Sequence, residues 1–204
     1  MTDKQVVHVI DDDVAILTSV AGFLTTKGFG VRTYSLAQEF LDTVGPHTTG
    51  CVVTDVRMRG ISGIELVAKM KERRFDLPII VITAYADITL AIEAMKRGAA
   101  DLLEKPFSNG TLVKAIREAL ANRNSETSTG PQNDLVRTKL ATLTAREKEV
   151  LARLLKGIPN KLIAHELGVS TRTIETHRAT VMSKMNATSI AELVRMSLSV
   201  PGLG

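Results

Sequence analysis

The sequence predicts a doubly wound α/β domain with a five-stranded parallel sheet, followed by an all-α helix-turn-helix domain. Three observations point there. Through residue 122, short β-rich runs alternate with stretches of helical periodicity, the pattern of successive βα units. The first, third and fourth of those runs are almost wholly apolar, as strands buried on both faces of a parallel sheet must be. From residue 140 onward the chain holds no strand-like run, only helical stretches broken at Gly157, Gly168 and Asn186.

Taken in order, the strands are expected at Val6–Ile10, Val31–Tyr34, Cys51–Thr54, Pro78–Ile82 and Leu102–Leu103. Leu17, Val20, Ala21 and Leu24 share one face of a first helix, with Gly28 near its end. Ile88, Ile92 and Met95 share a face of another that starts at Asp87 and stops at Gly98, and a further helix runs from Asn109 to about Arg123. Residues 124–134, NSETSTGPQND, are polar and carry Gly and Pro, so they bury no core and belong to a linker. The division is then a first domain at 1–122, a linker at 123–139 and a second domain at 140–204. In the second domain Thr144 and Glu147 fit a capping box that starts a helix reaching about Lys156. Asn160–Leu167, Thr171–Met185 and Ser189–Leu198 follow as helices.

Charge separates the two domains more clearly than the net +4 suggests. Residues 1–122 carry 14 Lys and Arg against 15 Asp and Glu, whereas residues 140–204 carry 9 against 5. Only the second domain is suited to a polyanion. Two Tyr, five Phe and no Trp argue against a single-strand binder built on stacked bases. The single cysteine, Cys51, forms no internal disulfide and opens an apolar run, as a core residue does. No apolar stretch approaches the roughly 20 residues that cross a bilayer, and the N-terminal apolar run is too short for a signal peptide. The expectation is a cytoplasmic protein without membrane contact.

The chemistry-bearing residues sit at strand ends. Asp11, Asp12 and Asp13 follow the first strand, Asp55 the third, Thr83 the fourth and Lys105-Pro106 the fifth. In an open parallel sheet ligands collect outside the carboxyl ends of the strands, so these scattered residues meet at one edge. An acidic run after a strand also suits a plain helix N-terminus; placement at four strand ends together is what indicates a site. Crowded carboxylates repel unless a cation joins them, and oxygen ligands with open positions suit Mg2+. A carboxylate there can accept a phosphoryl group as an acyl phosphate, with Mg2+, Lys105 and the Thr83 hydroxyl neutralising its oxygens.

Residues 1–122 resemble a response-regulator receiver domain of the flavodoxin/CheY-like fold. The match rests on Asp11 and Asp12, Asp55 in TDVRM, Thr83 in ITAYAD and Lys105 in EKPF. The resemblance implies that Asp55 takes a phosphoryl group from a sensor histidine kinase. It implies that Asp12, Asp55 and the backbone carbonyl of Arg57 hold Mg2+, with Asp11 acting mainly through water. Thr83 and Lys105 would sense the phosphoryl group, and the Lys105–Pro106 peptide would be cis. Asp13 gains no role beyond starting a helix. Two positions depart from the family pattern: Arg59 stands where proline is common, and Leu102 where an aromatic switch residue is common.

In the second domain, NKLIAHELGVS reads as helix, Gly turn and Ser cap, and the next helix follows at once, which makes a helix-turn-helix with its second helix in the DNA major groove. Ile174, Val181 and Met185 form that helix's inward stripe. Thr171, Arg172, Thr173, Glu175, Thr176 and Arg178 are the candidates for DNA contact, with Lys161 and Lys184 on the phosphate backbone. Glu175 either reads cytosine N4 or repels phosphate and sharpens specificity. His177 is expected at a helix seam.

LTAREKEVL and GIPNKLIAHELGVSTRTIETHRATVMSKM resemble the LuxR-type helix-turn-helix, and with EAMKRGA and EKPF the whole chain resembles the FixJ-type response regulators. That resemblance implies a transcription factor, not an enzyme. Phosphorylation of Asp55 shifts the helix Asp87–Arg97 and the strand at Leu102. The chain then forms a homodimer on double-stranded promoter DNA, with Ser189–Leu198 as a dimer helix and RNA polymerase as a further partner. Two alternatives stay open. One is a constitutive DNA-binding regulator with a degenerate receiver, which Arg59 and Leu102 keep in view. The other is an aspartate-nucleophile phosphohydrolase, whose second Asp would fall at position 57, where Arg stands.

Overall fold

The computed structural model describes residues 5–45, 47–84, 88–123, 129–198 and 200. Tyr85, Ala86 and Asp87 of the ITAYAD motif, and residues 124–128 of the expected linker, lie outside the described residues. The chain forms two compact units, residues 1–86 with 96–125, and residues 87–95 with 126–204.

The first unit holds one parallel sheet of β1 (Val6–Ile10), β2 (Gly30–Tyr34), β3 (Cys51–Asp55), β4 (Ile79–Thr83) and β5 (Asp101–Glu104), in the order β2-β1-β3-β4-β5. The runs around β1, β3 and β4 are buried almost throughout, which is why they read as continuous rather than alternating, while β5 buries only Leu102 and Leu103. The helices are α1 (Val14–Thr26), α2 (Ala37–Thr43), α3 (Gly63–Glu72), α4 (Ile88–Arg97) and α5 (Asn109–Arg123), and α4 is divided between the two units. Val7, Val9, Cys51, Val53, Ile80, Ile82 and Leu103 point to one face and join Leu17 and Leu24 of α1 and Leu112, Ala115 and Ile116 of α5 in one core. The intervening His8, Ile10, Val52, Thr54, Val81 and Leu102 are buried as well, so both faces are covered.

The strand order reverses between β1 and β3, since β1 connects outward to β2 and β3 onward to β4. That reversal opens a crevice outside the carboxyl ends of β1 and β3. Local sequence fixes the helices that border it. Asp13 caps α1 by accepting from the backbone of Ala15 and Ile16. Ser62 and Glu65 form a capping box on α3.

The second unit contains α6 (Thr129–Ala141), α7 (Ala145–Leu154), α8 (Asn160–Glu166), α9 (Thr171–Met185) and α10 (Ile190–Leu198). Helix α6 occupies most of the segment expected to be linker. Val136 and Leu140, four residues apart, and Leu143 beyond them are buried, and this apolar stripe is what makes the segment helical. Pro131 falls in the first turn, where a missing N–H removes no helical bond. Val150, Leu151, Leu154, Ile163, Ile174, Val181, Met185 and Leu193 form the buried centre of the unit. Among the described residues, no helix is long and apolar enough to cross a membrane.

Candidate functional site

The crevice gathers the strand-end residues around a cavity of about 240 Å³, lined by Asp11, Asp12, Asp13, Ile16, Asp55, Arg57, Ala84 and Lys105. Asp55 is the last residue of β3, and its backbone pairs with β4 beside Ile82. Lys105 follows β5 and is tied to the end of β4 by its N–H, which donates to the Thr83 carbonyl at 2.7 Å. The Lys105–Pro106 peptide is cis. The Lys105 ammonium donates to Asp55 Oδ1 at 2.6 Å and stands 3.7 Å from Asp11 Oδ2. The other Asp55 oxygen accepts from the Arg57 N–H at 2.7 Å.

Asp11 is buried, and its Oδ1 accepts from the Asp13 N–H at 2.9 Å. Burial raises its carboxyl above the ordinary value, and the charges of Asp55 and Asp12 push the same way; the Asp13 N–H and the Lys105 ammonium partly counter them. Thr83 ends β4 at the same edge and is buried. Leu102 is buried inside β5, so this position contributes packing and no hydroxyl.

The site also contains a pairing that the sequence left invisible. Asp12 turns toward Arg59, whose N–H donates to Asp12 Oδ2 at 3.3 Å and whose Nε lies 3.5 Å from the same oxygen. The two are 47 residues apart. Asp11, Asp12 and Asp55 therefore each have a partner within the chain. Among the described residues, no three acidic, histidine or cysteine side chains converge closely enough to hold an ion as they stand. The donors are nonetheless all hard oxygens around one cavity, the set a magnesium ion prefers.

The helix-turn-helix is formed by α8 and α9. Gly168, at φ +64°, makes the turn, and Ser170 caps α9 by accepting from the Thr173 N–H. Ile174, Val181 and Met185 face inward, as expected. Thr171, Arg172, Glu175 and Thr176 are exposed, Thr173 and Arg178 half-buried, and Lys161 is exposed on α8. The Thr173 hydroxyl is bonded to Ser170 and that of Thr176 to the Arg172 carbonyl, so both also serve the helix locally. Among the described residues, no salt bridge engages Lys161, Arg172 or Arg178. His177 is half-buried.

Lys184 differs from its expected role at the DNA backbone. Its ammonium donates to both Glu147 oxygens, at 2.9 and 2.7 Å, and to the Thr142 carbonyl at 3.3 Å. It lies on α9 between the inward residues Val181 and Met185 and reaches the start of α7. Glu147 is the buried member of the α7 capping box, and Lys184 neutralises it. The Lys184 hydrogen bond, followed by the Thr144 N–H, holds this carboxyl below its ordinary value.

Residues 7–117 match the response regulator receiver domain family, and residues 141–197 match the luxR family of bacterial regulatory proteins. This chain belongs to the two-component response regulators with a LuxR-type DNA-binding domain. The regulator is 45% identical to the transcriptional regulatory protein FixJ of Azorhizobium caulinodans, over 97% of this chain and 94% of that one. It is 43% identical to the FixJ of Bradyrhizobium diazoefficiens, over 97% of both. The crystal structure of full-length FixJ from B. japonicum covers 97% of the regulator and 98% of its own chain, with a TM-score of 0.58 and 43% identity. The crystal structure of FixJ-N matches 59% of the regulator and 96% of its own chain, at 39% identity and a TM-score of 0.55. The regulator thus has the CheY-like sheet and the C-terminal helical domain of its relatives. Receiver domains of this type generally bind Mg2+ at the phosphorylation site.

Proposed function

We propose that Asp55 is the phosphoacceptor of this regulator and that its phosphorylation, by a sensor histidine kinase, controls promoter binding by α9. The observation that carries the reading is the Lys105–Asp55 contact of 2.6 Å at the mouth of an acid-lined cavity on the topological switch point. An Asp55 oxygen attacks the phosphorus of a phosphohistidine, the P–N bond breaks, and the leaving imidazole nitrogen takes up a proton. The incoming phosphoryl oxygens bring negative charge to a site where Lys105 already stands between Asp55 and Asp11, so its ammonium follows the new charge. The Thr83 hydroxyl, at the end of β4, would be the second group to sense it.

Asp12, Asp55 and the Arg57 carbonyl, with Asp11 through water, would hold Mg2+, whose chemistry when bound is to neutralise oxygens of the transferring group. The relaxed ion pairing around Asp55 then favours a dimer in which two copies of α9 meet two half-sites. Arg172, Thr171, Thr173, Glu175, Thr176 and Arg178 would meet bases and phosphates, with Lys161 on the backbone. A phosphohydrolase reading gains no support at position 57, where an exposed Arg supplies its N–H to Asp55 rather than a second carboxylate.

Incubation with Mg2+ and acetyl phosphate, followed by mass measurement, sizing and promoter binding, tests this. The expected result is one added phosphoryl group, absent from Asp55→Asn, together with dimer formation and tighter DNA binding. A phosphoryl group that persists in Asp55→Asn, or a phosphorylated monomer with unchanged DNA affinity, would overturn it.

A further inference from the structure

Arg59 lies in the loop between β3 and α3, four residues past Asp55. It holds Asp12 through both its backbone and its side chain, on the single oxygen Oδ2. Asp11, Asp12 and Asp55 are held differently. Asp55 and Asp11 share Lys105, whose side chain is 29% exposed, whereas the Arg59 side chain is 85% exposed. An exposed ion pair on a loop is weak and screened by water, so it can hold a carboxylate without locking it. Asp12 also lines the cavity, so an ion there would compete with Arg59 for its carboxylate.

We propose that Arg59 is a positioning residue. It ties up one oxygen of Asp12 in the ion-free receiver, and Mg2+ uptake competes with that pair. Arg59 thereby raises the Mg2+ concentration at which the receiver becomes competent for phosphoryl transfer. The inference rests on the reading of the cavity as a Mg2+ site. It also gives a consequence to Arg59 where the family commonly has proline, because proline offers neither a guanidinium nor an N–H to Asp12.

Two measurements on the full-length protein, without any phosphodonor, test it. Calorimetric Mg2+ titration at low ionic strength should find Arg59→Ala binding about two- to fivefold more tightly than wild type, the range expected for releasing an exposed pair. The difference should vanish in about 1 M salt. In NMR, the Arg59 Nε–H signal should lie away from the free-arginine position in the ion-free protein. It should move to that position on Mg2+ saturation, and also in Asp12→Asn without Mg2+. Equal or weaker Mg2+ binding by Arg59→Ala, or an Nε–H signal unmoved by Asp12→Asn, would overturn the proposal. If neither wild type nor Arg59→Ala takes up Mg2+, the metal reading itself falls and this inference falls with it; the Nε–H signal still reports the pair.

Discussion

Adding one methyl group at Gly63 should damage both the stability and the chemistry of the receiver. Gly63 opens α3 directly against the backbone of the phosphoacceptor. A Cβ there would fall far inside contact distance of the Asp55 carbonyl oxygen, 3.0 Å from the carbonyl carbon and 3.2 Å from Thr54 Cγ2. Carbon atoms settle about 3.5–4 Å apart, so the end of β3 and the start of α3 must part by roughly 0.5–1 Å. Neither can move freely. The Gly63 N–H donates to the Val56 carbonyl at 3.0 Å, and the Val56 N–H donates to the Ile82 carbonyl at 2.8 Å. Overpacking of this kind costs about 1–3 kcal/mol, and alanine's better helix propensity returns at most about 1 kcal/mol. The net loss is about 1–2 kcal/mol, or on the order of 4–10 °C in the melting temperature of the receiver. Displacing the acceptor by that distance should slow phosphorylation by acetyl phosphate roughly 10- to 100-fold. Gly22 provides the contrast: it is exposed inside α1 with nothing near its absent Cβ, so Gly22→Ala should stabilise by about 0.5–1 kcal/mol and leave the rate unchanged. Thermal melts by circular dichroism and a mass-spectrometric time course read both effects. A Gly63→Ala protein that melts and phosphorylates like wild type would refute the packing argument.

Two further outcomes follow from the charged and buried groups. Glu147 has a depressed carboxyl in the folded protein, so its stabilising effect is complete above the ordinary carboxylate value and fades as pH falls through the lowered one. The melting-temperature gap between wild type and Glu147→Gln should hold steady near neutrality and close below roughly pH 4; a gap that widens in acid would contradict the Lys184 pairing. Cys51 is fully buried, and burial pushes its thiol up to about 12. Thiol reagents at neutral pH should leave the native protein unlabelled and modify one thiol per chain in denaturant, and rapid labelling of the native state would show that β3 opens.

Much of this molecule was readable from residues close together in the chain. The buried strands announce themselves as apolar runs, and a strand end is the place where such a run stops, so Asp11, Asp55, Thr83 and Lys105 could be assigned to one sheet edge without coordinates. The Thr144–Glu147 box and the α8–turn–α9 spacing are likewise signals within a turn or two of helix. The same local logic applies to α3, whose Ser62–Glu65 capping box is present in the sequence. Helix α2 has no side-chain cap and only seven residues, so its local signal is weak. The polar run NSETSTGPQND hides the start of α6, because the buried Val136 that marks the helix lies just beyond it, within the expected linker.

Sequence by itself determined which residues meet at the crevice, because periodicity and strand termination depend on neighbours a few positions away. Only tertiary structure decided which charge pairs with which. Lys105 with Asp55, Arg59 with Asp12 and Lys184 with Glu147 join residues 50, 47 and 37 positions apart. Such pairings are set by sheet register, by the path of the β3–α3 loop and by the rotation of α9 against α7. Shifting any of these by a few ångströms changes a charged group's nearest partner while leaving every local helix and strand signal intact.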